Sequence, residues 1–407
     1  MSRTEETLLM YGAGCIGRGF IGAAFRAAGY RVVFVDKDRE LIRLLQARRS
    51  YPLEIMGAVR TKRVVADFEA LDVREEAAVT RAIAECDWLA TSVGAGNLPD
   101  IAPLLAAGLM ERADSSGRPL DILICENIQD GEARLRQLLR AELPAARADA
   151  ILDQTGCVAT VIGCTVPKPS AAMQATDPLG LRIDSYDLLP VAGGSFRQEA
   201  PRLPQLYPVA DLGFYEARKY EIHNMGHATL AYLAQWLGIN DLAAAMEDPH
   251  IRLLVEGAML ESAAALAESF GRPFAGLLPY VRDLLARFAN HDLGDTAERV
   301  GRDVLRKIRA GERFVAAIRR IRDAGQPAVY VETGLALALH SLGCRSAEAG
   351  TRRILTEHSE LEAGPVLRLL DLVERLEEAR SSRALFLAVE RHWRLVSGAA
   401  ALEGGGR

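Results

Sequence analysis

The chain has 407 residues, 49% of them apolar and 25% charged, with a formal charge of −5. This excludes a disordered or fibrous chain, and the length suits two domains, with three as the outer limit. No apolar run approaches the roughly 18 residues of a membrane span, Met1 to Leu9 holds Glu5 and Glu6 in place of an apolar signal core, and the negative charge argues against a general nucleic-acid binder.

In chain order, Thr7–Tyr11 reads as a strand, followed by a glycine-rich turn and a helix that Gly29 stops. Arg31–Val35 is a second strand ending at Asp36. Trp88–Val93, closed by Gly94, and Asp121–Cys125 are further strands, and Thr160–Val166 reads as one more. Strands alternating with helices predict a parallel sheet covered on both faces. The proline-rich stretch from Pro167 to Pro208 reads as a connection with an extra strand at Gly180–Tyr186. From Leu212 the pattern is helical, as in Val366, Leu369, Leu370, Val373 and Leu376. The expected division is 1–204 for the α/β domain with its connection, 205–397 for a helical domain, and 398–407 for a frayed tail.

Six cysteines without a C-x-x-C pair suggest reduced thiols and a cytoplasmic protein. Of 49 basic residues only five are Lys: Lys37, Lys62, Lys168, Lys219 and Lys307. A lysine can release its proton when buried and an arginine effectively cannot, so these positions merit inspection.

Gly12-Ala13-Gly14-Cys15-Ile16-Gly17 is a G-x-G-x-x-G between a strand and a helix, and Asp36 ends the next strand 19 residues after Gly17. That context is the dinucleotide fingerprint. Gly12 permits the turn, Gly14 lets a pyrophosphate approach, and Gly17 lets helix and sheet pack closely. The backbone at Cys15 and Ile16 opens the helix N-terminus toward the phosphates. Asp36 would bind a ribose 2′-hydroxyl and repel a 2′-phosphate, favouring NAD over NADP, with Lys37 blunting that preference. Thr91, Val93 and Gly94 lie at the carboxyl end of a strand, where ligands of such sheets bind, and Asn127 follows the next strand at the same edge. Asn127 suits a substrate contact and equally a helix cap.

Lys219, His223, Asn224 and His227 fall at roughly 0°, 40°, 140° and 80° on an ideal α-helix, and Glu221 points elsewhere. Gly226 in mid-helix marks a close approach of another group. Hydride transfer from an alcohol needs a base for the hydroxyl proton and groups that hold the oxygen. Lys219 with Asn224 and His227 could supply these, but taken alone the segment favours a solvated lysine beside two core histidines. His223 and His227 have the i, i+4 spacing of a metal pair but lack the acid of H-E-x-x-H, so no metal is expected. Tyr215-x-x-x-Lys219 matches the short-chain dehydrogenase pair, and the glycine pattern and chain length exclude that family.

The sequence resembles the polyol-specific long-chain dehydrogenases. The catalytic-helix signature K-x₄-N-x₂-H stands here as Lys219, Asn224 and His227. Similar too are the run from Gly12 to Gly22, Ala47–Tyr51, Cys125–Asn127, Thr176–Leu179 and Arg299–Lys307. The resemblance implies a Rossmann-type, doubly wound α/β domain with a mainly parallel sheet, followed by an all-helical C-terminal domain, with the active site between them. It implies NAD as cofactor, Lys219 as general base, Asn224 and His227 on the substrate oxygen, and Asn127 as a further contact, which reverses the preference for a solvated lysine. The similarity is greatest to members acting on mannitol 1-phosphate, so the expected partner is a polyol or ketose phosphate, with Arg302, Arg306 and Lys307 as its phosphate cluster. The bland alternative for that cluster is a solvated helix face balanced by Glu298 and Glu312. A monomer or small homo-oligomer is expected. The family carries an Asp-Arg pair where Gly163 and Cys164 stand here, which leaves another polyol, a sugar acid, or a non-catalytic NAD sensor as alternatives.

Overall fold

A computed structural model describes residues 6–398 except 58, 168 and 170. Lys168 and all of the expected tail but Gly398 therefore lie outside the described residues. The chain divides into two compact units, Met1–Tyr215 and Glu216–Arg407.

The first unit is built on a six-stranded parallel sheet in the order β5-β2-β1-β6-β7-β8. Its strands are β1 (Thr7–Tyr11), β2 (Arg31–Asp36), β5 (Glu69–Asp72), β6 (Trp88–Thr91), β7 (Leu120–Ile124) and β8 (Thr155–Ala159). Between β2 and β5 lie β3 (Ser50–Met56) and β4 (Thr61–Ala66). Side chains alternate across a strand, so each face of β1 carries its own core. Leu8 and Met10 pack with Phe20, Phe25 and Phe34, whereas Leu9 and Tyr11 pack with Val35, Leu89 and Leu105. The first crossover begins as a π-helical turn, Gly17–Gly22, and continues as the α-helical stretch α1 (Ala23–Ala27). A second sheet runs β4-β3-β9, with β9 (Leu181–Asp184) parallel to β3 and β4 antiparallel to it.

The run Thr160–Val166 is not a strand of the large sheet. β8 pairs with β7 from Thr155 to Ala159, where β7 itself ends. Beyond that point Thr160 keeps only an isolated bridge to Val191, and Val161 N–H donates to Pro190 O at 2.9 Å. The β-branched composition is real, but β7 has no residue beyond Ile124 to continue the ladder of the large sheet.

The second unit is helical. A π-helical turn, Arg218–Asn224, runs into α2 (Met225–Leu237). The further helices used below are α3 (Pro249–Ser269), α4 (Leu278–Phe288), α5 (Ala297–Gly301), α6 (Val304–Lys307), α7 (Arg313–Asp323) and α8 (Val329–Ser341). Helix α8 is buried along most of its length, as its apolar composition on all sides demands. It crosses α2 closely: a Cβ on Gly334 would lie 2.5 Å from Thr229 Oγ1. Its N-terminus is capped from α3, where Glu261 Oε2 accepts the Tyr330 and Val331 N–H groups at 2.9 and 3.1 Å.

Candidate active site

In the first unit the glycine turn is shaped by its neighbours. Gly12 has φ +102°, donates its N–H to Val35 O at 2.8 Å, and has Ser92 O where a Cβ would stand, 2.3 Å away. A Cβ on Gly17 would lie 1.9 Å from Gly12 O, so helix and turn meet as expected. Over Gly14 nothing approaches within 4 Å. That open backbone at a helix N-terminus is what an anionic ligand requires. Cys15 and Ile16, half-buried, carry the chain into the helix. Arg18 braces the turn from beneath: its Nε donates to Ala13 O at 2.7 Å and its Nη1 to Leu179 O at 2.8 Å.

Asp36 is held by backbone. Oδ2 accepts Ala13 N–H at 2.7 Å and Oδ1 accepts Asp38 N–H at 3.0 Å. Each oxygen keeps lone-pair capacity for a further donor. A cavity of about 310 Å³ lies here, lined by Gly12, Gly14, Asp36, Lys37, Ser92 and Asn97 among others.

Thr91 is fully buried at the end of β6. Val93 and Gly94 reach the same edge, but their N–H groups are taken, each donating at 2.8 Å to the buried Glu126 carboxylate. Burial pushes the Glu126 carboxyl up, against the pull of those two N–H donors. Glu126 is a loop clamp that the sequence reading passed over in favour of its neighbour. Asn127 is exposed just beyond β7.

In the second unit, Lys219 and Asn224 sit on the π-helical turn and His227 on the first turn of α2. The i→i+5 turn corrects the α-helical angles used above. More residues occupy each turn, so Lys219 and Asn224, roughly 140° apart on an ideal α-helix, come nearer to one face. Both are half-buried. Glu221 does point elsewhere: it forms a two-pronged ion pair with Arg320 of α7, at 2.6 and 2.8 Å. Ser262 of α3 donates to Glu221 O at 2.8 Å. Gly226 meets α3 closely, with Met259 Cγ 2.6 Å from the position of a Cβ.

His223 is buried, and among the described residues its Nδ1 has no hydrogen-bond partner. Burial, then the Arg287 charge, holds it well below the ordinary imidazole range. The His227 ring stacks on Phe288, with centroids 4.8 Å apart and planes within 10°. Its Nε2 lies 3.1 Å from Asp295 Oδ2, and Asp295 Oδ1 pairs with Arg299. Burial and the cations Arg299 and Arg287 push His227 down to about 3, so the ring is neutral at ordinary pH. Among the described residues no group of three or more His, Cys, Asp or Glu is placed to hold a metal ion.

The expected basic cluster is not one helix face. Arg302 ends α5, Asp303 takes φ +56°, and α6 begins at Val304, so the Arg302–Arg306 spacing spans a break. Arg302 Nε donates to Arg299 O at 3.1 Å, and the half-exposed Arg306 pairs with Glu312 at 3.3 Å. Lys307 differs from both. It is 5% exposed and its Nζ donates to the carbonyls of Val300 and Arg302. Burial, then Arg313, pushes it down to about 8. Arg313 is also buried, 3.5 Å from Glu312 Oε2, and its Nε has no partner among the described residues.

At the other position of interest, a Cβ on Gly163 would meet the Tyr186 ring at 2.5 Å, and Cys164 is buried. The Tyr186 ring leaves no room at position 163 for a side chain larger than glycine's.

Residues 6–205 match the mannitol dehydrogenase Rossmann domain and residues 211–352 match the mannitol dehydrogenase C-terminal domain. The chain belongs to the mannitol dehydrogenase family. Its fold is shared by two solved polyol dehydrogenases. D-sorbitol dehydrogenase in substrate-free form matches with TM-score 0.77 and 15% identity, over 94% of this chain and 95% of that one. Pseudomonas fluorescens mannitol 2-dehydrogenase, solved as a ternary complex with NAD and D-mannitol, matches with TM-score 0.74 and 16% identity, over 96% of this chain and 95% of the other. At these identities the likeness is one of fold. A mannitol dehydrogenase family member with these two units accounts for the doubly wound sheet and the helical second half together.

Proposed function

We propose that this protein is an NAD-dependent dehydrogenase that interconverts a sugar-alcohol phosphate and a ketose phosphate, with mannitol 1-phosphate and fructose 6-phosphate as the leading pair. The observation that carries the reading is the Lys219, Asn224 and His227 set on a helix secured from two sides, through Glu221–Arg320 and Gly226–Met259. The open backbone over Gly14 and the Asp36 carboxylate support NAD as cofactor. So does the NAD-bound state of the mannitol 2-dehydrogenase relative.

When bound, NAD supplies the hydride acceptor. Lys219, as the neutral amine, takes the proton of the reacting hydroxyl while that carbon loses hydride and becomes the carbonyl. In the reverse direction Lys219 returns the proton. The Asn224 amide donates to the reacting oxygen and stabilises its developing charge. Buried Lys307 and Arg313 favour an anionic group on the substrate, phosphate or carboxylate. This keeps sugar acids as the second reading. No metal takes part.

The test is a substrate panel followed by NADH absorbance. Fructose 6-phosphate reduced with NADH, in preference to free ketoses and keto acids, supports the leading pair. Turnover of an unphosphorylated keto acid alone supports the second reading. Tight NADH binding without turnover of any member would refute both and leave a sensor. Activity abolished by chelator would refute the metal-free reaction.

A further inference from the structure

His227 faces an unusual set of groups. Asp295 approaches its Nε2 from the segment before α5, and Arg299 of α5 holds the other Asp295 oxygen. Arg287 of α4, Arg313 of α7 and Lys307 of α6 add positive charge around it, and His223 lies on the preceding turn at a ring distance of 6.2 Å. Phe288 fixes the plane of the imidazole. Asp295 is itself anchored, since Leu242 N–H donates to its backbone carbonyl at 3.1 Å, and its side chain is 12% exposed.

An imidazole in so cationic a setting carries one proton, not two. That proton sits where an acceptor awaits it, and which ring nitrogen holds it is set by the partner of the other. A carboxylate can only accept. Nε2 therefore bears the hydrogen, and Nδ1 keeps its lone pair. A lone pair cannot hydrogen-bond to a ketone oxygen or an alkoxide, which have no hydrogen to give. It can accept from a hydroxyl.

We propose that Asp295 is a positioning residue that fixes His227 in the Nε2–H form, so that His227 accepts a hydrogen bond at Nδ1 from a substrate hydroxyl next to the reacting carbon. The reacting oxygen is then left to Asn224 and Lys219. The inference rests on the reading that His227 touches substrate. It revises the role implied by resemblance, in which His227 and Asn224 shared one oxygen. It also gives a polyol-specific contact: a substrate with a lone hydroxyl has nothing to offer Nδ1.

The tautomer is read directly from nitrogen NMR of the full-length protein labelled in histidine, with His227 assigned by a His227→Asn variant. The expected wild-type signal is a protonated Nε2 and an unprotonated Nδ1. Asp295→Ala is expected to release the tautomer and lower kcat about 10-fold, the scale of one lost hydrogen bond to the substrate, with NADH affinity unchanged. Asp295→Asn keeps an acceptor for Nε2–H and is expected to restore the tautomer and most of kcat. A wild-type Nδ1–H form overturns the proposal, as does an Asp295→Ala variant with unchanged tautomer and rate. If Asp295→Ala fails to fold, the wild-type spectrum and Asp295→Asn still decide it. The stated tautomer without turnover of any polyol would sink the functional reading and leave the Asp295–His227 assignment intact.

Discussion

At the scale of single residues, the chemistry assigned here rests on few groups, and they differ in how visible they are in sequence. Lys219 stands out because lysine is scarce in this chain and because its spacing to Asn224 and His227 matches a known signature. Replacing it with alanine is expected to lower turnover at least 100-fold while NADH still binds, as measured by steady-state kinetics beside a fluorescence titration. Asp295 and Glu126 carried no such signal. Each acts on a partner distant in sequence, at 68 residues for Asp295 with His227 and 33 for Glu126 with Val93. Local pattern cannot anticipate that. Glu261 is a third such case. Burial pushes its carboxyl from 4.5 up to about 8, with one oxygen lacking a partner among the described residues. Between those values the folded chain holds a proton that the unfolded chain has lost, so stability falls as pH rises through that window. Glu261→Gln is expected to flatten this fall while preserving an acceptor for the α8 cap. Urea titrations at several pH values measure the difference.

At the scale of elements, the sheet was legible because its strands are short β-branched runs separated by helices. Its errors came from pairing. Thr160–Val166 has strand composition, but β7 has already ended, so Thr155–Ala159 takes the place in the sheet despite its weaker pattern. The break at Arg302–Asp303 was hidden for a similar reason, since Asp303 adopts φ +56° only in its tertiary setting. The π-helical turn was also invisible, because its wider winding depends on what holds it from outside. The Glu221–Arg320 pair is the strongest of those holds, with the Glu221 side chain 5% exposed. Arg320→Ala would leave that carboxylate buried without its cation. A cost of about 3 kcal/mol is expected, read from denaturant unfolding. A loss of turnover larger than the fraction unfolded would report the displaced Lys219.

At the scale of the whole molecule, two units of different architecture follow one another, and the family match spans both. If the first unit binds NAD as proposed, the ligand stabilises the state that binds it. NAD at 100 times its dissociation constant should add about 2.7 kcal/mol to the unfolding free energy of that unit. NADP at equal concentration should add much less, because Asp36 repels its 2′-phosphate. Thermal scans with both nucleotides separate these outcomes, and equal shifts would remove Asp36 as the discriminator.

Arg18 ties the glycine turn to Leu179, 161 residues further along the chain. That span has a consequence during synthesis. All six strands of the large sheet have left the ribosome once Ala159 has emerged, yet the Leu179 carbonyl that secures the guanidinium, 20 residues behind, is still enclosed in the exit tunnel. A nascent chain stalled between these two points would own a finished platform and an unbraced phosphate cradle. Nucleotide capture is therefore expected to wait until Leu179 has emerged, and NAD binding to stalled chains of graded length measures it.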